Sequence, residues 1–196
     1  MALFIHNTDD FDLDFFYGNR NSFWNILAEA FPRLDFSNKE NIIQSLDANF
    51  TSITDIIKTC DRENQSITRD KDLYNICLNT NQIRDGLINS SISTIYFTSR
   101  FGKNNAAKLF VENFNIEYRD SWNDDTNSFT IPKEVFNKEI KAIVLFSPSG
   151  QANIGISRSR SYLSKRHLYS HYRTPVQKFK IDFYKEKFNF FNESTP

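Results

Sequence analysis

Ala142-Ile143-Val144-Leu145-Phe146-Ser147-Pro148-Ser149-Gly150-Gln151-Ala152-Asn153-Ile154 is the stretch on which the reading of this chain turns. An uninterrupted apolar run gives way to a tight loop of Ser, Pro and Gly. Strands covered on both faces read as such continuous runs, and parallel sheets are where they are found. A loop of this composition at the strand's carboxyl edge presents backbone N–H groups and small hydroxyls. Open α/β sheets bind ligands at that edge, and phosphate oxygens suit such donors. The same residues also describe an ordinary turn after a core strand, since Pro and Gly mark most turns.

Working outward, residues 94–98 (Thr-Ile-Tyr-Phe-Thr) read as a second buried strand and residues 52–57 as a shorter extended segment. Helical spacing of Phe23, Ile26, Leu27, Ala30 and Phe31 predicts a helix over 22–31 that Pro32 stops. Further helices are predicted over 38–46, 73–90 with a break near 79–81, 104–114 and 177–188. Residues 59–70 and 117–132 read as polar and irregular. Strands alternating with helices argue for a parallel sheet with helices on both faces. The expected fold class is therefore α/β: three αβα layers with a short, mainly parallel central sheet. No linker composition divides the 196 residues, so one domain over 1–196 is expected, with a basic segment, 157–190, packed on it or extending it.

Composition narrows the function. The formal net charge is zero, so attraction to a polyanion must come from local clustering. Such a cluster exists over 158–187. Arg158, Arg160, Lys165, Arg166, Arg173, Lys178, Lys180, Lys185 and Lys187 face only Asp182 and Glu186, with Tyr162, Tyr169, Tyr172, Phe179 and Tyr184 interleaved. That is the footprint of a nucleic-acid surface; a solvated terminal helix would carry a similar run. Cys60 and Cys77 lack metal-ligand spacing and read as small apolar side chains in a reducing compartment. No apolar run approaches the ~20 residues of a membrane span, and no signal-peptide pattern opens the chain. A soluble cytoplasmic protein without a metal or cofactor is expected.

Phe15-Phe16-Tyr17-Gly18-Asn19-Arg20-Asn21-Ser22-Phe23-Trp24 resembles the Phe/Tyr-Tyr-x-x-x-x-Asn-x-Phe-Trp signature of the uracil-DNA glycosylase superfamily, in its mismatch-specific and deoxyinosine branches. Ser147-Pro148-Ser149-Gly150 is similar to the loop those enzymes carry after their last core strand. Between the two, Asp55 with Ile56-Ile57, Cys60-Asp61-Arg62, Asp70 and Phe97-Thr98-Ser99-Arg100 follow the family's order of blocks over residues 15–155. The resemblance implies a DNA glycosylase acting on uracil or hypoxanthine. Such an enzyme turns the nucleotide out of the duplex and stacks its base on an aromatic face. Phe16, Tyr17, Gly18, Asp55 and Ser99 would line the base pocket. Asn21 would orient base or water. Ser147, Pro148, Ser149, Gly150, Gln151 and Asn153 would enter the groove, with Gln151 or Ile154 filling the vacated stack, and Arg158 and Arg160 would hold phosphates.

Other roles fit the same residues. Phe16 and Tyr17 suit a core this rich in Phe, Asn21 suits a helix N-cap, and Asp55 suits a turn. The family's opening strand, which ends in Gly-x-x-Pro and supports the catalytic water, has no counterpart; only Asn21, Asn7 and Asp9 could stand in for it. A catalytically silent DNA-binding relative is thus the alternative reading. An interaction protein that keeps only the fold is the third.

Overall fold

The computed structural model describes residues 16, 23–63 and 70–188. In chain order the elements are α1 (Phe23–Ala30), α2 (Lys39–Ala48), β1 (Ile57–Arg62), β2 (Leu73–Leu78), α3 (Thr80–Ile88), β3 (Thr94–Phe97), α4 (Ala106–Asn113), β4 (Ser128–Ile131), α5 (Lys133–Phe136), β5 (Ile140–Val144), α6 (Ala152–Ile156), α7 (Arg160–Tyr169) and α8 (Pro175–Lys187). Contacts divide the chain into two compact units, each discontinuous in sequence. Among the described residues, the first takes 54–63 and 70–147, the second 16, 23–53 and 148–188.

The first unit is built on β5. Its residues Ile140, Ala142, Ile143 and Val144 are buried, and the strand is paired on both edges, in the order β3-β5-β4. β3 runs parallel to it, Thr94 opposite Lys141 through Phe97 opposite Val144. β4 runs antiparallel, Ser128 opposite Ile143 through Ile131 opposite Ile140. A second sheet is the antiparallel pair β1 and β2, joined at Ile57 with Leu78 and at Arg62 with Leu73. The chain is mixed α/β, as its pattern predicts. The sheet differs from the expected mainly parallel one, carrying one parallel and one antiparallel pair.

Phenylalanines fill this unit's core. Phe110 lies 5.0 Å, centroid to centroid, from Phe97 and 4.8 Å from Phe114, and Phe114 lies 5.0 Å from Phe136 in an edge-to-face pair. Tilted and edge-on rings are the arrangements that the ring quadrupole favours. Phe136 is fully buried. It arrives on the one-turn helix α5, which ends at Asn137 in the left-handed region (φ 60°), a conformation that Asn tolerates better than most residues.

Three sequence expectations are corrected here, the first being that residues 59–62, expected to be irregular, belong to β1 and pair with β2. Residues 73–78 form a strand, not the start of a helix. Leu73 is buried while Tyr74 and Asn75 are exposed, Asn75 is left-handed (φ 49°), and its Nδ2 donates to Asp61 Oδ2 across the pair at 2.8 Å. A helical window cannot register a bulged, half-exposed hairpin, because its pattern has neither period. Residues 128–131, expected to be irregular, pair with β5 after a polar turn in which Asn123 Oδ1 accepts from the N–H groups of Asp125 and Thr126.

In the second unit, α1 presents Phe23, Trp24, Ile26, Leu27 and Ala30 as a buried face. Phe23 meets Tyr184 and Phe188 edge-on at 6.0 and 6.5 Å. Trp24 stacks on Phe36 and donates its Nε1–H to the carbonyl of Phe16 at 2.5 Å. α2 is capped by Asn38, whose Oδ1 accepts from Asn41 N. α7 was not expected as a separate helix. It is capped by Ser159, which accepts from Tyr162 N at 3.2 Å, and Tyr162 and Tyr169 both seat edge-on against Phe179 of α8. Among the described residues no helix is long and apolar enough to cross a membrane.

Truncating Phe136 removes a fully buried ring and opens a cavity that its neighbours cannot close. Phe136→Ala is expected to cost about 3–5 kcal/mol in denaturant unfolding.

Candidate functional site

The loop after β5 begins in the first unit and continues in the second, the division falling between Ser147 and Pro148. Pro148 is buried, whereas Ser149, Gly150, Gln151 and Ile154 are exposed. Its backbone turns tightly into α6. Ser149 Oγ accepts from Gln151 N at 3.2 Å, Ser149 O from Ala152 N at 3.1 Å, and Gly150 O from Asn153 N at 3.1 Å. The base of the loop is held by a residue that the sequence reading did not single out as a site residue. Lys180 is fully buried, and its Nζ donates to the carbonyls of Pro148 and Ser149, each at 3.1 Å. Burial lowers its pKa from 10.5 to about 8. Beside it on α8, Gln177 Oε1 accepts from Asn153 Nδ2 at 3.4 Å, while Asn153 Oδ1 is buried without a hydrogen-bond partner among the described residues.

A basic stretch follows the loop directly. Arg158, Arg160, Lys165, Arg166 and Arg173 are exposed on α7 and its flanks, and no Asp or Glu occurs from Pro148 to Ile181. The first carboxylate, Asp182, pairs with Lys178 at 2.5 Å. Lys178 also lies 5.8 Å from the Tyr172 ring centre. Burial, and next the charge of Asp182, raise the pKa of Tyr169. The exposed arginines therefore set the local potential.

The other predicted positions divide between the units. Phe16 belongs to the second, half-buried with its carbonyl tied to Trp24. Tyr17, Gly18 and Asn21 lie outside the described residues. Asp55 and Ser99 belong to the first unit. Asp55 Oδ1 accepts from Ile57 N at 3.0 Å at the start of β1, and Ser99 Oγ accepts from Ala106 N at 2.9 Å at the start of α4. Asp70 sits at the start of a 3-10 turn just before β2, its carbonyl accepting from Asn104 Nδ2 at 2.9 Å. Burial raises its carboxyl pKa to about 6 against the pull of Arg62.

The first unit also holds a cleft of about 460 Å³ that the sequence reading missed. Arg100, Phe101, Tyr118, Arg119 and Trp122 line it. Phe101 and Tyr118 lie parallel, 4.1 Å apart, and Trp122 stands edge-on to both. No motif spacing marks these five residues. They meet because the turn after β3 and the segment before β4 are brought together by β5.

Comparison of the chain with models of protein families, with curated proteins and with solved structures finds no match.

Lys180 and the half-buried Asp70 carry opposite pH signatures. Lys180 loses its proton near pH 8 in the fold but near 10.5 when unfolded. The unfolded chain therefore binds more protons across that window, and stability rises with pH there. Lys180→Met is expected to flatten this rise in denaturant midpoints measured from pH 7 to 10.5. It should also speed amide exchange at residues 151–153. Asp70 behaves the other way. Its folded form keeps a proton to about pH 6, so stability falls as pH rises from about 4 to 6. Asp70→Asn is expected to be more stable than the parent at pH 7 and indistinguishable from it at pH 4.

Proposed function

We propose that this chain binds DNA and hydrolyses the N-glycosidic bond of a deaminated base, uracil or hypoxanthine, with water as nucleophile. One observation carries the reading. An exposed Ser-Gly-Gln loop, anchored from beneath by a buried ammonium, leads within a few residues into an exposed cationic helix free of carboxylates. Phosphate neutralisation by Lys and Arg supplies most of the affinity of such surfaces. A short, rigid loop is what enters a groove beside a base turned out of the stack. In this reading Arg158, Arg160, Lys165 and Arg166 track the backbone. Ser147 and Ser149 hold phosphates next to the extruded nucleotide, and Gln151 or Ile154 occupies the gap in the stack. Ile154, 64% exposed, has the apolar surface for that role. Phe16 and Tyr17 stack on the base, and Asn21 orients base or water. The three-layer αβα arrangement of the uracil-DNA glycosylase superfamily is part of the same proposal.

No Gly-x-x-Pro occurs in these 196 residues, which favours a second reading, a DNA-binding member of that superfamily without the chemistry. Loss of the group that positions a nucleophile commonly costs factors of a hundred or more in rate.

Fluorescence anisotropy with duplexes carrying one uracil or one hypoxanthine tests the binding step, and alkaline cleavage of abasic sites tests the chemistry. The expected outcome is salt-dependent binding whose log–log salt slope falls by about 2 in the Arg160→Gln/Arg166→Gln double variant. Ser149→Asp should weaken binding sharply. Abasic-site formation establishes the enzyme, and binding without it the silent relative. No binding at about 50 mM salt, where nonspecific contacts are strong, removes both.

A further inference from the structure

We infer that the cleft lined by Arg100, Phe101, Tyr118, Arg119 and Trp122 is a nucleotide-binding site, taking a nucleobase against its aromatic wall and a phosphate on its two guanidinium groups. All five residues lie in the first unit, so the inference stands apart from the loop and basic helix of the second.

Its volume, about 460 Å³, lies within the range of small-molecule sites. Phe101, Tyr118 and Trp122 are each half-buried, so all three rings show surface to the cleft they line. Their mutual packing fixes their planes before any ligand arrives. The parallel Phe101–Tyr118 pair is 7° from coplanar, and Trp122 meets the two rings at 77° and 84°. Trp122 is locked further by Nε1–H donation to Asp124 Oδ1 at 2.9 Å. A rigid aromatic wall loses little entropy when a planar ring settles on it.

Charge selects the ligand. Arg100 is exposed, yet its guanidinium is oriented. Nη2 donates to Asn127 Oδ1 at 3.2 Å, and the group lies 5.7 Å from the Phe146 ring centre. Asn127 is itself buried and held left-handed, its carbonyl accepting from Val144 N, so Arg100 is tied to the central strand. Arg119 projects from a short 3-10 turn, Arg119–Ser121, and is exposed. Glu117, Asp120, Asp124 and Asp125 are near in sequence, but none lines the cleft, and Asp124 is engaged by Trp122. Among the described residues the lining thus carries two positive charges and no negative one. A guanidinium matches phosphate oxygens in geometry, and the rings that line the cleft with Arg100 and Arg119 match a base. A nucleoside monophosphate unit has both features, whether free or as one residue of a single strand.

Tryptophan fluorescence tests this directly, because the chain has two tryptophans and Trp24 is only 1% exposed. The full-length protein is titrated with dAMP, deoxyadenosine, inorganic phosphate and a short single-stranded oligonucleotide. Saturable quenching by dAMP is expected, at least about tenfold tighter than by deoxyadenosine, since one charge-assisted contact is worth about that factor. Trp122→Phe keeps a ring but should abolish the signal, and Arg119→Gln should weaken dAMP binding about tenfold with an unchanged circular dichroism spectrum. An oligonucleotide that binds more tightly than dAMP, with the same dependence on Arg119, identifies a strand as the ligand; equal affinity identifies the free nucleotide. The Arg160→Gln/Arg166→Gln variant should bind dAMP as the parent does, which separates this site from the proposed DNA surface. Absence of saturable quenching by dAMP and by the oligonucleotide, or quenching that Arg119→Gln leaves unchanged, overturns the inference.

Discussion

β5 must be satisfied on two edges and two faces at once, and much of the first unit follows from that demand. On one edge Leu145 N donates to Phe97 O at 2.7 Å; on the other Val144 N donates to Asn127 O at 2.8 Å. A buried backbone amide left unpaired costs about as much as a lost hydrogen bond. The parallel neighbour and the antiparallel neighbour are therefore both necessary. The turns that deliver them, 98–101 after β3 and 117–127 before β4, are brought side by side as a consequence. The aromatic cleft with its two arginines is the product of that pairing.

The loop beyond β5 depends on a different device. An ammonium group buried in protein loses its hydration and must find acceptors. Lys180 finds them in the carbonyls of two successive residues, Pro148 and Ser149. Burial lowers its pKa to about 8, and its two hydrogen bonds hold the loop backbone at Pro148 and Ser149. An apolar side chain there would avoid the desolvation, but it could not specify where a Ser-Pro-Ser-Gly backbone turns. Buried polar groups give specificity of conformation in several known systems, and the exposed residues 149–151 sit directly on this one.

Parts of the candidate site were legible in the chain. The 147–153 loop and the basic run from Arg158 onward are marked by composition, because turn residues and clustered charge act locally. Lys180 was visible only as one more cation in that run, although it stands on the apolar stripe of α8, four residues after Val176 and four before Tyr184. A lysine at that register is the signal that could have singled it out. Asp55 and Ser99 have hydroxyl or carboxylate oxygens that already accept from nearby backbone N–H groups, the commonest local use of such side chains. The cleft in the first unit has no sequence signature at all, since its residues come from two segments whose spacing carries no period.

The chain's own pattern determined the helices near both ends, the two buried strands and the mixed α/β class. A long apolar run or a 3.6-residue stripe can bury its surface in few ways. Tertiary structure alone decided the strand identity of residues 59–62, 73–78 and 128–131, the mixed direction of the sheet, the separation into two units and the burial of Lys180. Each of these rests on partners distant in sequence: Asp61 for Asn75, β5 for β4, the 148–149 backbone for Lys180. Local propensity is worth only tenths of a kcal/mol per residue, so pairing and burial overrule it wherever a distant partner supplies the missing hydrogen bonds.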